Sequence, residues 1–222
     1  SVIHMAAGGK DRLNAMYMVE GYGEQNPIVE KSQFIMSLIE QIDKTGVGPQ
    51  HKSIIDRCTA LVYQDAERTG NIATLCDLRE KLLEQPEEKA KDIALSLELF
   101  TTGTLDVFAH QTNVNSKNRI LCFDIQDLGE NLKPIGLLVM LDAIMNRVIA
   151  NRAEGKYTHV YIDEIYLFFA GSSMGGAGDN VSKYSAEFLY KCWKRFRKYY
   201  ATLTGITQNV EECLRSDTAR MM

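Results

Sequence analysis

The sequence has little of three features that mark large classes of protein: long apolar runs, a strong excess of one charge and an opening stretch with the pattern of a leader. No stretch of about 18 apolar residues occurs, so we expect no membrane-spanning helix. The opening residues do not join a basic region to an apolar core, and we therefore expect no signal peptide. The net charge of −4 argues against a general nucleic-acid-binding surface, although a local basic patch is compatible with it.

Cysteine and histidine occur, but not in the spacings that bind metals or form disulfide frameworks. The number of cysteines is odd, and no two of them form a CxxC pair. This pattern favours reduced thiols in the cytoplasm over disulfides or a zinc site. The histidines have no ligand-like spacing either, so the sequence predicts no transition-metal site. The residues concerned are Cys58, Cys76, Cys122, Cys192 and Cys213, and His4, His51, His110 and His159.

The phosphate-binding loop GxxxxGK[ST] is also missing from the sequence. In that loop, glycines let backbone N–H groups approach the phosphates, and a lysine meets their charge. The two Gly-Lys steps, at positions 9–10 and 155–156, lack both the earlier glycine and the following serine or threonine. If the chain takes part in nucleotide hydrolysis, we expect its phosphate loop to lie upstream of Ser1.

The composition and periodicity that are present indicate an α/β domain with a helical insertion. The chain of 222 residues, 45% apolar and 24% charged, suits one large globular domain or one domain with an insertion. Apolar residues recur at helical spacing from about 29 to 101, and strands alternate with helices after residue 113, which is typical of a parallel sheet. We predict the start of the α/β part at 1–28, an all-α bundle of about four helices at 29–112, and the rest of the α/β part at 113–222.

Local signals place the individual elements within this plan. Thr74 is a predicted N-cap, and Pro86 and Pro134 suit the first turns of the helices that follow them. A stretch rich in glycine and serine, Gly171–Gly178, predicts a mobile loop. Beyond the bundle, we predict strands at 2–5, 119–125, 160–162 and 201–206, and helices at 131–152 and 185–199.

Two adjacent acids follow the strand Val160–Ile162, namely Asp163 and Glu164. Carboxylates at the end of a buried strand are costly unless something cationic meets them. In P-loop nucleotide hydrolases the first acid holds Mg²⁺, and an adjacent glutamate can polarise the attacking water. The alternative is a strand that simply ends in polar residues, and the motif alone does not decide between the two.

Gln208 follows the next strand along the chain, so a parallel sheet would bring it to the same edge as the two acids. There it could contact a γ-phosphate or its water as a sensor. Alternatively it is a polar loop residue or a helix cap, a role for which Thr207 and Asn209 are equally suited. Asp124 and Asp127 lie near the end of an earlier predicted strand, and we expect them to cap the next turn or to line the site peripherally.

A basic stretch, residues 191–198, divides into two helical faces. One face is apolar, and the other carries four of its cations. The simplest interpretation is an amphipathic helix with a solvated basic face. The alternatives are a DNA-facing patch, or an arginine that reaches the nucleotide of a neighbouring subunit, for which Arg195 and Arg197 are the candidates.

Taken together, these motifs are more specific than any one of them, and they resemble one family over nearly the whole chain. The strings FDIQDL, VYIDEIYLFF, FLYKCWKRFRKYY and TGITQNVEECLRSDTAR are similar to the VirB-type conjugation ATPases of type IV secretion systems, in the TraC/TrbE-like group. The upstream KSQFIMSLIEQI, KSIIDRC and LDVFAHQTNV resemble the same family, in its Gram-positive mobile-element branch.

The resemblance implies a RecA-like P-loop NTPase sheet, here without its phosphate-loop segment, and with an all-α insertion. It implies ATP and Mg²⁺ as cofactors in the complete protein, with Asp163 as the Mg²⁺-associated acid, Glu164 as the water-activating base and Gln208 as the glutamine at the end of the next strand. Members work as oligomers, often hexamers, at the cytoplasmic face of the inner membrane, with other secretion components and a DNA or relaxase substrate complex.

Three departures from the family pattern qualify these expectations. The phosphate loop is absent. The terminal strand that normally follows the TAR stretch at 218–220 is absent as well, and the loop at Gly171–Gly178 is longer than usual. We therefore expect a fragment of the motor that is inactive alone and binds ATP poorly. Two rival functions are a DNA translocase of the coupling-protein or FtsK kind, and a non-catalytic docking module of the secretion complex.

Overall fold

The computed structural model describes residues 1–23, 26–43, 46–169, 179–208, 210–214 and 216–222, without the side chains of residues 130, 131, 179–184 and 212. The predicted loop Gly171–Gly178 lies outside these residues. The helices are α1 (Pro27–Ile42), α2 (Pro49–Thr69), α3 (Leu75–Leu83), α4 (Glu88–Ser96), α5 (Glu98–Thr101), α6 (Gly129–Ala153), α7 (Asp179–Phe196), α8 (Val210–Cys213) and α9 (Asp217–Arg220), and the strands are β1 (Val2–His4), β2 (Cys122–Asp124), β3 (Thr158–Ile162) and β4 (Ala201–Gly205). Three 3₁₀ turns span Asp106–Phe108, Ile165–Phe168 and Arg197–Tyr199.

The helices between β1 and β2 form a bundle whose buried face follows the predicted period. In α1 the apolar positions Phe34, Ile35, Leu38 and Ile39 are almost fully buried. Helix α1 packs on α2, α2 on α3 and α3 on α4. The predicted N-cap is confirmed, because the Thr74 side chain accepts a hydrogen bond from the backbone N–H of Asp77.

The structure corrects the predicted positions of two prolines. Helix α4 begins at Glu88 after an extended Glu87, so Pro86 precedes the helix instead of lying in its first turn. Helix α6 begins at Gly129, earlier than predicted, and Pro134 lies inside it. Both errors arise because a proline restricts its own φ but does not specify how many residues precede it in the helix.

The strands form two parallel pairs. Strand β1 pairs with β2, with Ile3 opposite Phe123, and β3 pairs with β4, with Val160 opposite Leu203. The parallel arrangement is as predicted, although the observed β2 is much shorter than the predicted strand 119–125. The carboxyl ends of β3 and β4 lie side by side, since Ile162 is opposite Gly205.

The chain divides into two compact units, Ser1–Val139 and Met140–Met222. The first unit holds α1 to α5 and the β1–β2 pair, and the second holds the β3–β4 pair and α7. The predicted boundaries at residues 28 and 112 stay predictions. Among the described residues, every helix is too short or too polar to cross a membrane.

Within the second unit, α7 packs against β4 and against the 3₁₀ turn Ile165–Phe168. Its predicted apolar face is confirmed, because Leu189, Cys192 and Phe196 are fully buried. Burial raises the pKa of the Cys192 thiol, so this cysteine is protonated at neutral pH. The helix is thus anchored by its apolar side, and Lys191 and Lys194 remain exposed.

Candidate active site

The two acids after β3 lie in a tight turn with an unusual backbone conformation. Glu164 has φ 49° and ψ 47°, which is the left-handed region. For a residue with a side chain this conformation costs roughly 1–3 kcal/mol, and it persists only where the surroundings enforce it. The backbone N–H of Glu164 donates to Oδ1 of Asp163 at 3.0 Å, so the two acids are also coupled to each other.

Two backbone hydrogen bonds enforce this turn, and both are made with Ile206, just after β4. The backbone N–H of Ile206 donates to the carbonyl of Ile162 at 2.8 Å, just before the acids. The backbone N–H of Ile165 donates to the carbonyl of Ile206 at 3.0 Å, just after them. Asp163 and Glu164 are therefore confined between two bonds to the same residue, and both acids lie at the carboxyl edge of the β3–β4 pair.

Gly205, the last residue of β4, allows this turn to approach so closely. A Cβ atom at Gly205 would lie 2.6 Å from Cδ1 of Ile165, closer than such atoms pack, and 3.0 Å from its Cγ2, which is a tight contact. Ile165 is only 7% exposed, so its side chain has little room to withdraw. Sequence reasoning did not single out Gly205, although a glycine at the end of a strand is a known signal of close backbone approach.

Gln208 and Glu164 meet, as the parallel arrangement of their strands leads one to expect. The side-chain amide Nε2 of Gln208 donates to Oε1 of Glu164 at 2.9 Å. The other carboxylate oxygen, Oε2, is shielded from solvent and has no hydrogen-bond partner among the described residues. Because buried polar atoms are nearly always paired in native proteins, this oxygen is an acceptor available to a bound water or ligand.

Charge around the acid pair is not compensated within the part of the chain that the structure describes. No lysine or arginine in these residues lies within ion-pair distance of Asp163 or Glu164. Two adjacent carboxylates without a cation, one of them with an unpaired oxygen, fit a hard divalent cation with its bound waters. Asp163 and Glu164 therefore suit a Mg²⁺ ion that is bound to a nucleotide. No lysine or arginine of the described residues lies beside them to meet the phosphates of that nucleotide.

The structure does not bring the two candidate arginines to the acid pair of the same chain. Arg195 is in the last turn of α7 and half-exposed, and Arg197 is exposed in the 3₁₀ turn that precedes β4. Both therefore lie at the amino end of β4, whereas Glu164 and Gln208 lie at its carboxyl end. A role of either arginine in a neighbouring subunit stays a prediction.

Asp124, which we expected to cap a turn or to line the site peripherally, lies in the first unit and caps a turn. Its Oδ1 accepts a hydrogen bond from the backbone N–H of Gln126 at 3.1 Å, and its Oδ2 lies 3.2 Å from Nδ1 of His4. This confirms the capping interpretation for Asp124. The described residues contain no group of three or more His, Cys, Asp or Glu side chains that could hold a metal ion by themselves.

Comparison with known proteins shows which solved structure has a similar fold. No protein-family model matches the chain, and no curated protein matches its sequence. The fold is mixed α/β, mostly helical with small parallel sheets, and it matches a solved structure over the whole chain. That structure is VirB4 of Thermoanaerobacter pseudethanolicus, with a TM-score of 0.76 and 19% sequence identity. The match covers 100% of this chain and 60% of that one, so the chain spans about three fifths of the length of the solved protein.

Proposed function

We propose that the chain is part of the motor of a VirB4-type ATPase, which hydrolyses ATP to support conjugative type IV secretion. The observation that carries the proposal is the 2.9 Å hydrogen bond between Gln208 and Glu164, which joins the carboxyl ends of two adjacent parallel strands beside a second acid. Ligands of open α/β sheets bind at the carboxyl ends of the strands, so the acids stand where a nucleotide is expected. The likeness of the fold to VirB4 supports this choice over other nucleotide hydrolases.

The proposed chemistry assigns one task to each of three side chains. Bound MgATP supplies the phosphoryl group that a water molecule attacks. Asp163, exposed and adjacent, would hold the Mg²⁺ through its water shell. Glu164 would accept the proton of the attacking water at its unpaired Oε2. Gln208, bonded to Oε1, would keep that carboxylate oriented and would sense the phosphate through the same amide.

The finer architecture and the assembly also belong to the proposal. We assign the chain a RecA-like P-loop NTPase fold, with the helices between β1 and β2 as its all-α insertion. The complete protein would supply the phosphate loop and would assemble with itself, as a hexamer or another oligomer. It would lie at the cytoplasmic face of the membrane through other secretion components, act on a DNA or relaxase substrate complex, and place Arg195 or Arg197 in trans.

The test is ATP turnover in the complete parent protein with Glu164→Gln. Removal of a general base typically slows a reaction by about 10²–10⁴-fold, whereas ATP binding should be retained because the phosphate contacts are unaffected. Glu187→Gln, an exposed acid on α7, is the matched control and should turn over normally. Unchanged turnover in Glu164→Gln would overturn the assignment of the base. A wild-type parent protein that neither binds nor hydrolyses ATP would favour the docking-module function.

A further inference from the structure

The opposite end of the β3–β4 pair carries two exposed tyrosines in contact with each other. Tyr157 precedes β3 and Tyr200 precedes β4, and their ring centroids are 5.5 Å apart with an interplanar angle of 46°. Tyr157 is 73% exposed and Tyr200 is 51% exposed. A backbone hydrogen bond from Thr158 N–H to the Tyr200 carbonyl, at 3.1 Å, holds the two segments together. The tyrosine pair is therefore a fixed aromatic surface that faces solvent.

Tyr200 adopts a backbone conformation that a tyrosine rarely has. Its φ of 54° and ψ of 40° are left-handed, and among the described residues only Glu164 shares a positive φ without being glycine. Glycine or asparagine would occupy this position at lower cost. Strained residues of this kind cluster at ligand sites, where the surrounding structure enforces them. Tyr200 ends the 3₁₀ turn Arg197–Tyr199, and its strained conformation fixes the direction in which the chain and the ring leave that turn.

The segments that lead into the two tyrosines are rich in cations. The segments 152–157 and 197–200 contain four cations, Arg152, Lys156, Arg197 and Lys198, and one acid, Glu154, which pairs with Lys156. The Arg152 guanidinium lies over the ring of Tyr199, 4.9 Å from its centroid. Arg197 is exposed and forms no ion pair within the described residues. This local excess of positive charge occurs in a chain whose net charge is −4.

We propose that the tyrosine pair and its cations bind single-stranded nucleic acid, by stacking of bases on Tyr157 and Tyr200 and by contact of Arg197 with the phosphate backbone. Exposed rings beside cations are the two components of such sites, because every base has a face that stacks on an aromatic ring. In a duplex the bases already stack on each other, so exposed rings of this kind favour a single strand. The charge is complementary to phosphate. The proposal uses no residue of the acid pair, and its tests do not involve ATP turnover. If Arg197 binds the nucleic acid, Arg195 is the candidate that remains for a role in trans.

The experiment measures fluorescence anisotropy of a labelled oligothymidylate about 20 nucleotides long, beside an oligouridylate and a DNA duplex of equal length. Binding of the single strands in preference to the duplex is expected. Loss of one stacking contact should weaken binding about tenfold or more in Tyr157→Ala and in Tyr200→Ala. Tyr200→Phe should bind normally, because it keeps the ring. Tyr161→Ala is the matched control: Tyr161 is 69% exposed but lies near the carboxyl end of β3, away from the tyrosine pair, so its removal should not change affinity.

The salt dependence supplies an independent readout. Arg197→Gln should lower the slope of log affinity against log salt concentration by about 0.7, the value for one contact with single-stranded phosphate. Circular dichroism of each variant checks that the chain remains folded. Three results would overturn the proposal: no binding of single strands at low salt, equal affinity for duplex and single strand, or sensitivity to Arg197→Gln without sensitivity to either tyrosine. Displacement of the oligonucleotide by polyglutamate at equal charge concentration would likewise overturn it, in favour of an acidic protein partner.

Discussion

Each end of the β3–β4 pair has one residue in the left-handed backbone conformation, but the side chains at the two ends differ in chemistry: acids at one end and aromatic rings at the other. At the carboxyl end, left-handed Glu164 lies beside a second acid and has no cationic neighbour in the described residues. At the amino end, left-handed Tyr200 lies beside a second ring, and the segment that precedes it carries Arg197 and Lys198. A parallel pair of strands thus separates an acidic site from a basic, aromatic surface by the length of five residues. Backbone strain identifies both ends, although neither their charge nor their residue types resemble each other.

The two strained residues differ in how they are held. The turn of Glu164 is fixed on both sides by Ile206, and a glycine opposite it permits the close contact with Ile165. Tyr200 follows a 3₁₀ turn and is held by one backbone bond from Thr158. The carboxyl end is therefore the more constrained of the two, and substitutions there should have the larger effects.

The largest expected effect is that of Gly205→Ala. The φ of Gly205 is not in the left-handed region, so an alanine fits the backbone, and loss of unfolded-state freedom would by itself stabilise by about 0.4–1 kcal/mol. The new Cβ, however, would overlap Ile165, and overpacking of this kind costs about 1–3 kcal/mol. The second effect exceeds the first, so urea unfolding should show a net loss of stability.

Removal of the overlapping atom sharpens this prediction. Ile165→Val deletes Cδ1, the nearest atom to the added Cβ, and should by itself cost about 0.5–1.5 kcal/mol. In the double variant the two costs should not add, and the double-mutant cycle should show a coupling of about 1 kcal/mol. Thr204→Ala, on the preceding exposed position of β4, is the matched control and should be close to neutral. Additive costs in the cycle would show that the Gly205–Ile165 contact does not hold the turn.

A smaller effect is expected for Gln208, whose amide is the only partner of Glu164 Oε1 in the described residues. Gln208→Ala should lower the free energy of unfolding by less than about 1 kcal/mol, because both side chains are partly exposed to water. Gln208→Glu should cost more, since it replaces the donor with a like charge next to Glu164. Urea unfolding in low and high salt separates the two, because salt should reduce only the additional cost of Gln208→Glu. A larger loss of stability in Gln208→Ala than in Gln208→Glu would mean that the amide does not donate a hydrogen bond to Glu164.

The components of the acidic site can be predicted from the sequence, but the contacts that position them cannot. The acids and Gln208 follow apolar runs, and parallel strands bring their carboxyl ends together, so their proximity could be predicted. The contact between Gly205 and Ile165 could not, because it depends on how closely two segments approach in space. The same holds for the left-handed backbone of Glu164, which arises from bonds to Ile206 and not from any local preference of glutamate.

The amino end was missed for a related reason. Tyr157 and Tyr200 are far apart in sequence. Tyr157 follows Lys156 and Tyr200 follows Tyr199, and each lies just before a predicted strand, so neither forms a recognisable motif. Only the register, with Thr158 opposite Ala201, places the two rings side by side. The sequence does show the basic stretch at 191–198 and leaves three roles open for it: a solvated helix face, a DNA-facing patch or an arginine in trans. No local pattern links that stretch to Tyr157.

The smallest expected effect on stability, and the one that separates the two ends most clearly, is that of Tyr200→Gly. Relief of the left-handed backbone should stabilise by about 1–2 kcal/mol. The greater freedom of glycine in the unfolded chain and the loss of a half-exposed ring should offset most of this gain. The net change should therefore be close to zero. Tyr161→Gly, at an exposed tyrosine one residue before the end of β3, should by contrast cost about 1 kcal/mol, because it has no strain to relieve. If urea unfolding shows Tyr200→Gly to be as costly as Tyr161→Gly, the Tyr200 backbone is not strained, and the conformation offers no argument for a function of its ring.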